Sequence, residues 1–106
     1  MSAPKRTVEF SPRALRDYDD ILLVSLTTWG EQQRDAYQAL LDRALEEIGQ
    51  FPGIGQSRED IGAGCRSLRV GQHILIYRSD GAAIRVNRIL HSRQDLFSEW
   101  HVPGAE

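Results

Sequence analysis

Apolar residues recur at helical spacing through the first half of the chain and at alternating positions through much of the second. Thr7-Val8-Glu9-Phe10 alternates and predicts a short strand. Ser11-Pro12 follows as a helix start, with Ser as N-cap and Pro at the first helical position, where a missing N–H costs nothing. Leu15, Tyr18, Leu22, Leu26 and Trp29 then form one apolar stripe of a helix that ends at Gly30. A second helix begins near Glu31, with Tyr37, Leu41, Ala44, Ile48 and Phe51 at the same spacing. Gly49 stands where a left-handed cap is expected, and Pro52 blocks continuation. Two amphipathic helices joined at one Gly predict an antiparallel hairpin.

Phe51 to Gly64 is rich in Gly and reads as a loop. Three strands are expected next: Arg66–Val70, His73–Tyr77 and Ala83–Leu90, with turns at Gly71 and Asp80-Gly81 and a bulge near Arg88. Ser92-Arg93-Gln94-Asp95 resembles a capping box and predicts a short helix through Leu96, Phe97 and Trp100. The expected fold is α+β: an N-terminal strand, an antiparallel helical hairpin packed on an antiparallel sheet, and a short C-terminal helix.

Length confines this to one domain, residues 1–106, and the 41% apolar content suffices for a thin core. No signal peptide is recognisable, and Ile21-Leu22-Leu23-Val24 falls far short of the roughly 20 apolar residues that span a bilayer. With a single cysteine, Cys65, the chain has no internal disulfide, and a cytoplasmic location is expected. Net charge is −2, but its distribution is uneven. Six arginines (Arg66, Arg69, Arg78, Arg85, Arg88, Arg93) face one acid, Asp80, between Cys65 and Arg93. Eight acids face two arginines, Arg34 and Arg43, between Asp17 and Glu47. Two faces with different partners are implied, or a sheet whose arginines only solvate one face. Arg in place of Lys favours an interaction surface, because guanidinium forks bind carboxylates and phosphates bidentately.

Candidate chemistry narrows quickly. His73, His91, His101 and Cys65 show no metal-ligand spacing, so neither a metal nor any other cofactor is expected. Gly53-Ile54-Gly55 follows a helix and lacks the lysine of a phosphate-cradling loop. Metal-free ribonuclease chemistry would need a base, cations and an acid on one sheet face. Strand parity opposes that cluster: Arg66 shares a face with Leu68 and Val70, while Arg69 and Arg85 point the other way.

The run Ile84-Arg85-Val86-Asn87-Arg88-Ile89-Leu90-His91-Ser92-Arg93-Gln94-Asp95-Leu96 resembles the C-terminal signature of ParE-type toxins. Pro52-Gly53-Ile54-Gly55 is similar to their Pro-x-x-Gly after the second helix. Arg66, Leu68, Val70-Gly71 and Leu75-Ile76-Tyr77-Arg78 resemble their central strand pair, and Ser11-Pro12 with Asp17-Tyr18-Asp19-Asp20-Ile21 their first helix. The resemblance runs from Val8 to Leu96 and places the chain in the ParE/RelE toxin superfamily, on the ParE side. It implies a type II toxin that inhibits DNA gyrase by direct binding and is neutralised by a ParD-type ribbon-helix-helix antitoxin, meeting DNA only through that complex. The alternative is a RelE-type, ribosome-dependent mRNA endonuclease with Arg66, Arg78 and Arg93 on phosphate.

Departures from the nuclease pattern favour the binder. Ile74 stands where those enzymes have arginine, Glu99-Trp100 where they have tyrosine, and Gln56–Gly64 carries Arg58 but no lysine. Target contacts are expected from Arg88, His91, Arg93, Phe97 and Trp100, since aromatic and Arg residues anchor protein interfaces. Antitoxin contacts are expected from Leu22, Leu26, Trp29, Tyr37 and Leu41.

Overall fold

A computed structural model describes residues 5–93. In chain order it contains β1 (Thr7–Phe10), α1 (Pro12–Trp29), α2 (Glu31–Gln50), a single 3-10 turn (Pro52–Ile54), β2 (Gln56–Ser57), β3 (Cys65–Val70), β4 (His73–Asp80) and β5 (Ala83–His91). The C-terminal helix expected from Ser92-Arg93-Gln94-Asp95 onward lies outside the described residues. So do Phe97 and Trp100.

Helix α1 begins as its first residues dictate. The Ser11 hydroxyl accepts from the Ala14 N–H at 3.0 Å, and Pro12 opens the first turn. Gly30, at φ +94°, ends α1 and leads directly into α2. That left-handed conformation suits glycine and lets the chain reverse without a loop. Helix α2 runs one residue past Gly49, which is helical, not a left-handed cap. A Cβ there would lie 3.0 Å from the Arg6 carbonyl and 3.3 Å from Val8 Cγ2, so this glycine is needed for close approach to β1. Phe51, expected to continue the stripe, lies beyond the helix and is 60% exposed.

The sheet order is β1-β5-β4-β3-β2. Strands β3, β4 and β5 form the expected antiparallel meander, and Gly71 (φ +58°) and Gly81 (φ +63°) occupy its two turns. Strand β1 adds a parallel pairing, Thr7 on Ala83 through Phe10 on Val86, so the full sheet is mixed. The pairing of β4 with β5 slips between Ile76 and Tyr77: Ile76 faces Arg88 but Tyr77 faces Val86. Asn87 is therefore the extra residue of a bulge, one position from the expected place.

Both helices lie on one face of this sheet. Ala14, Leu41, Ala44 and Ile48 pack on Val70, Leu75, Tyr77, Ile84, Val86 and Ile89 to form the core. By alternation, Cys65, Ser67, Arg69, Ile74, Ile76, Arg78, Arg85 and Leu90 belong to the opposite face. No described helix is long and apolar enough to cross a membrane.

Candidate partner-binding site

A groove of about 540 Å³ opens between the helical hairpin and the turn that joins β3 to β4. Its helical wall is Ile21, Val24, Ser25 and Trp29 of α1 with Gln33 and Tyr37 of α2; its sheet wall is Gly71, Gln72, His73 and His91. Asp20 adds an acid at the rim. Trp29 is 72% exposed and Val24 61%, unusual for residues this apolar. Apolar surface collected in a concavity with a few polar groups is the usual form of a docking site.

Tyr37 fixes one side of the groove. Its hydroxyl accepts from the Gln72 N–H at 3.0 Å, lies 3.2 Å from the Val70 carbonyl, and shares a 2.6 Å hydrogen bond with His73 Nδ1. A Cβ on Gly71 would press on the Tyr37 ring at 2.8 Å, so glycine here serves both the turn and the tyrosine. His73 faces His91 across the strands, with ring centroids 5.2 Å apart. Burial, and second the neighbouring His91, push the His73 imidazole down to about 4, so it is neutral at physiological pH.

Of the five residues expected to meet an antitoxin, Trp29 and Tyr37 line this groove. Leu22 packs against the core and Leu26 is half-buried. Leu41, expected on the same surface, lies at the centre of the core with no exposed area, because its side of α2 is the one turned onto the sheet. Ile21 and Val24 complete the apolar lining instead. They stand beside the Leu22–Leu26 stripe rather than on it, so helical spacing directed attention to the packed side of α1.

The residues expected at the target surface divide. Arg88 turns inward at the bulge: Nε donates to Asp17 Oδ2 at 2.8 Å and Nη2 to Oδ1 at 3.3 Å, with the side chains only 14% and 13% exposed. The Ile89 N–H also donates to Asp17, at 3.0 Å. This is a fastening between α1 and β5. His91 lies in the groove, where its Nδ1 accepts from the Arg93 N–H at 3.0 Å, while Arg93 is exposed.

The arginines weighed for phosphate chemistry also separate. Arg66 lies on the helix-side face, where Nη1 donates to the Gly55 carbonyl at 2.8 Å. Arg78 lies on the opposite face, 3.9 Å from Cys65 Sγ. Pro52-Gly53-Ile54-Gly55 proves structural: the Gly55 N–H donates to the Tyr77 hydroxyl at 2.9 Å, and that hydroxyl donates to the Pro52 carbonyl at 2.7 Å. Among the described residues no three His, Cys, Asp or Glu side chains gather as a metal site.

Known proteins agree with this architecture. The chain is 38% identical to Toxin ParE1 of Caulobacter vibrioides over 81 residues, covering 76% of this chain and 83% of that one. It is 34% identical to Toxin ParE1 of Mycobacterium tuberculosis over 87 residues, covering 81% and 89%. In structure it resembles the chromosomal ParDE toxin-antitoxin system of P. aeruginosa, with TM-score 0.70 and 18% identity over 82% of this chain and 96% of that one. The RelBE2 toxin-antitoxin complex of M. tuberculosis matches with TM-score 0.60 and 25% identity, over 83% and 99%. The family model for the ParE toxin of the type II toxin-antitoxin system parDE matches residues 8–96, so the chain belongs to the ParE toxin family.

Proposed function

We propose that this ParE-family chain inhibits DNA gyrase by direct binding, without catalysis of its own, and is neutralised by a ParD-type antitoxin seated in the groove. The observation that carries the protein-binding reading is the exposed apolar lining of Val24 and Trp29 beside the half-buried Ile21. An amphipathic helix laid across it would bury Trp29 and Val24, and basic residues beside its apolar stripe would meet Asp20. Target contacts are proposed from Arg93, Phe97 and Trp100 together with His91 at the end of β5, while Arg88 is held by Asp17. Separation of Arg66 from Arg78 onto opposite faces favours binding over phosphodiester cleavage, which needs its groups gathered around one bond.

The decisive experiment incubates the purified chain with gyrase and supercoiled plasmid, and in parallel with translating ribosomes. Lost supercoiling or gyrase-dependent DNA cleavage, with messenger intact, is the expected result. Messenger cut at codon-related positions in the ribosome arm would overturn the proposal in favour of a nuclease.

A further inference from the structure

The far face of the sheet departs from the pattern of a face open to water, which alternates polar residues outward along each strand. Leu75-Ile76 in β4 and Ile89-Leu90 in β5 put apolar side chains on both faces in succession. Leu75 and Ile89 belong to the core under the helices. Ile76 and Leu90 do not, yet they are only 0% and 1% exposed. Ile74, the register partner of Leu90, is half-buried beside them, while Arg69, Arg78 and Arg85 on the same face are exposed. Neighbouring strands screen a side chain laterally but leave it open above, so burial this complete needs a second layer.

Among the described residues no helix lies on this side. The loop from Arg58 to Gly64 reaches Cys65, where a Cβ on Gly62 would stand 3.3 Å from the sulfur, but Leu90 is two strands away on β5. The exposure is that of one chain by itself, so the missing layer belongs to the same chain. Residues 1–4 are too distant. They precede β1, which begins opposite Ala83, and Leu90 lies about 23 Å farther along β5. Four residues span at most about 14 Å.

The C-terminal residues fit. They leave the sheet just after Leu90, where the Ser92 N–H donates to the Gln72 carbonyl at 2.8 Å. Leu96, Phe97, Trp100 and Val102 supply apolar surface. A helix from Gln94 to Val102 would rise about 14 Å, more than the about 10 Å from β5 to β3. The segment is also acidic, with Asp95, Glu99 and Glu106 and no Lys or Arg. Exposed Arg69 and Arg78 flank the apolar patch, whereas the acids of this face, Glu9 and Asp80, lie toward its other end.

We propose that residues 94–106 dock across the far face of the sheet, with Leu96, Phe97 and Trp100 over Ile74, Ile76 and Leu90. The docking is a property of the free chain and does not rest on gyrase being the target. Phe97 and Trp100 are also the proposed target contacts, so a target that takes these rings must draw them off the sheet.

The chain has two tryptophans, so Trp29→Phe leaves Trp100 as its single indole. In that full-length variant the Trp100 ring should show nuclear Overhauser contacts to the Ile74, Ile76 and Leu90 methyls. Acrylamide should quench it several-fold less than in the urea-unfolded chain. Adding Leu96→Ser should weaken the contacts and raise quenching toward the unfolded value, with the amide signals of α1 and α2 unmoved. Ile74→Glu should do the same from the sheet side, by setting a like charge against Asp95 and Glu99. The proposal is overturned if Trp100 shows no contact to these methyls, if its quenching already equals that of the unfolded chain, or if Leu96→Ser changes neither. Contacts that vanish on dilution would also overturn it, and would make the layer a segment of a second copy.

Discussion

Tyr77 spans the core and puts its hydroxyl between two backbone groups of the loop after α2. Tyr77→Phe leaves the Gly55 N–H without its acceptor, inside the fold. A buried unpaired donor costs about 1–3 kcal/mol, so thermal unfolding should move down by about 5–15 °C. Gly55→Ala should be worse, because its Cβ would meet the same hydroxyl and the Ser67 carbonyl. Asp17 answers both the Arg88 guanidinium and the Ile89 N–H. Asp17→Ala should cost about 2–4 kcal/mol in denaturant unfolding, through the half-buried cation it abandons. His73 sets an acid limit. Its folded-state pKa, about 4, lies below the 6.5 of the free side chain, so protons favour the unfolded chain between those values. Its contribution is complete above pH 6.5 and is lost as pH falls from 6.5 toward 4. Urea midpoints should therefore decline across that interval, and His73→Gln should flatten the decline; an unchanged slope would remove His73 as the cause.

At the scale of elements, α1 has two apolar sides and only one is used by the core. Ala14, Ile21 and Leu22 meet the rest of the fold, while Leu23, Val24 and Trp29 remain open. Val24→Glu and Trp29→Ala should consequently leave melting within about 0.5 kcal/mol of the parent, yet weaken antitoxin binding by about 2 kcal/mol or more. Calorimetric titration with the antitoxin checks this, and equal affinity for parent and variants would place the antitoxin elsewhere. Periodicity revealed both helices and the meander because burial on one side imposes a period of 3.6 or 2. It could not reveal which stripe of α1 stays bare, since Val24 and Leu22 are equally apolar as letters. Gly49 and Arg88 were misleading for a related reason. A glycine needed for close approach resembles a cap, and an arginine fastened to a carboxylate 71 residues away resembles a surface charge.

The whole molecule has two unlike sides. Helices carry most of the acids and most of the large exposed apolar residues; the far face of the sheet carries Arg69, Arg78 and Arg85 together with Glu9 and Asp80. The uneven charge along the sequence is thus converted by the α-then-β chain order into an uneven charge in space. If the two sides serve different partners, Val24→Glu and R78Q/R85Q should be separable in cells. The first should free the toxin from its antitoxin, and the second should leave neutralisation intact. Growth assays with and without the antitoxin distinguish them, and a loss of neutralisation by R78Q/R85Q would show that the surfaces are not independent.

Strand β1 lies beside β5, and the Ser11 hydroxyl donates to the Asn87 carbonyl 76 residues onward. Such distant closures are slow relative to helix formation. During synthesis the helical hairpin is made first, and its core-facing side has no sheet to rest on until β3, β4 and β5 have emerged. The surface proposed for the antitoxin is assembled mostly from α1 and α2, whereas the contacts proposed for the target lie at and beyond the end of β5. A nascent chain therefore offers its site of restraint before it owns a means of injury.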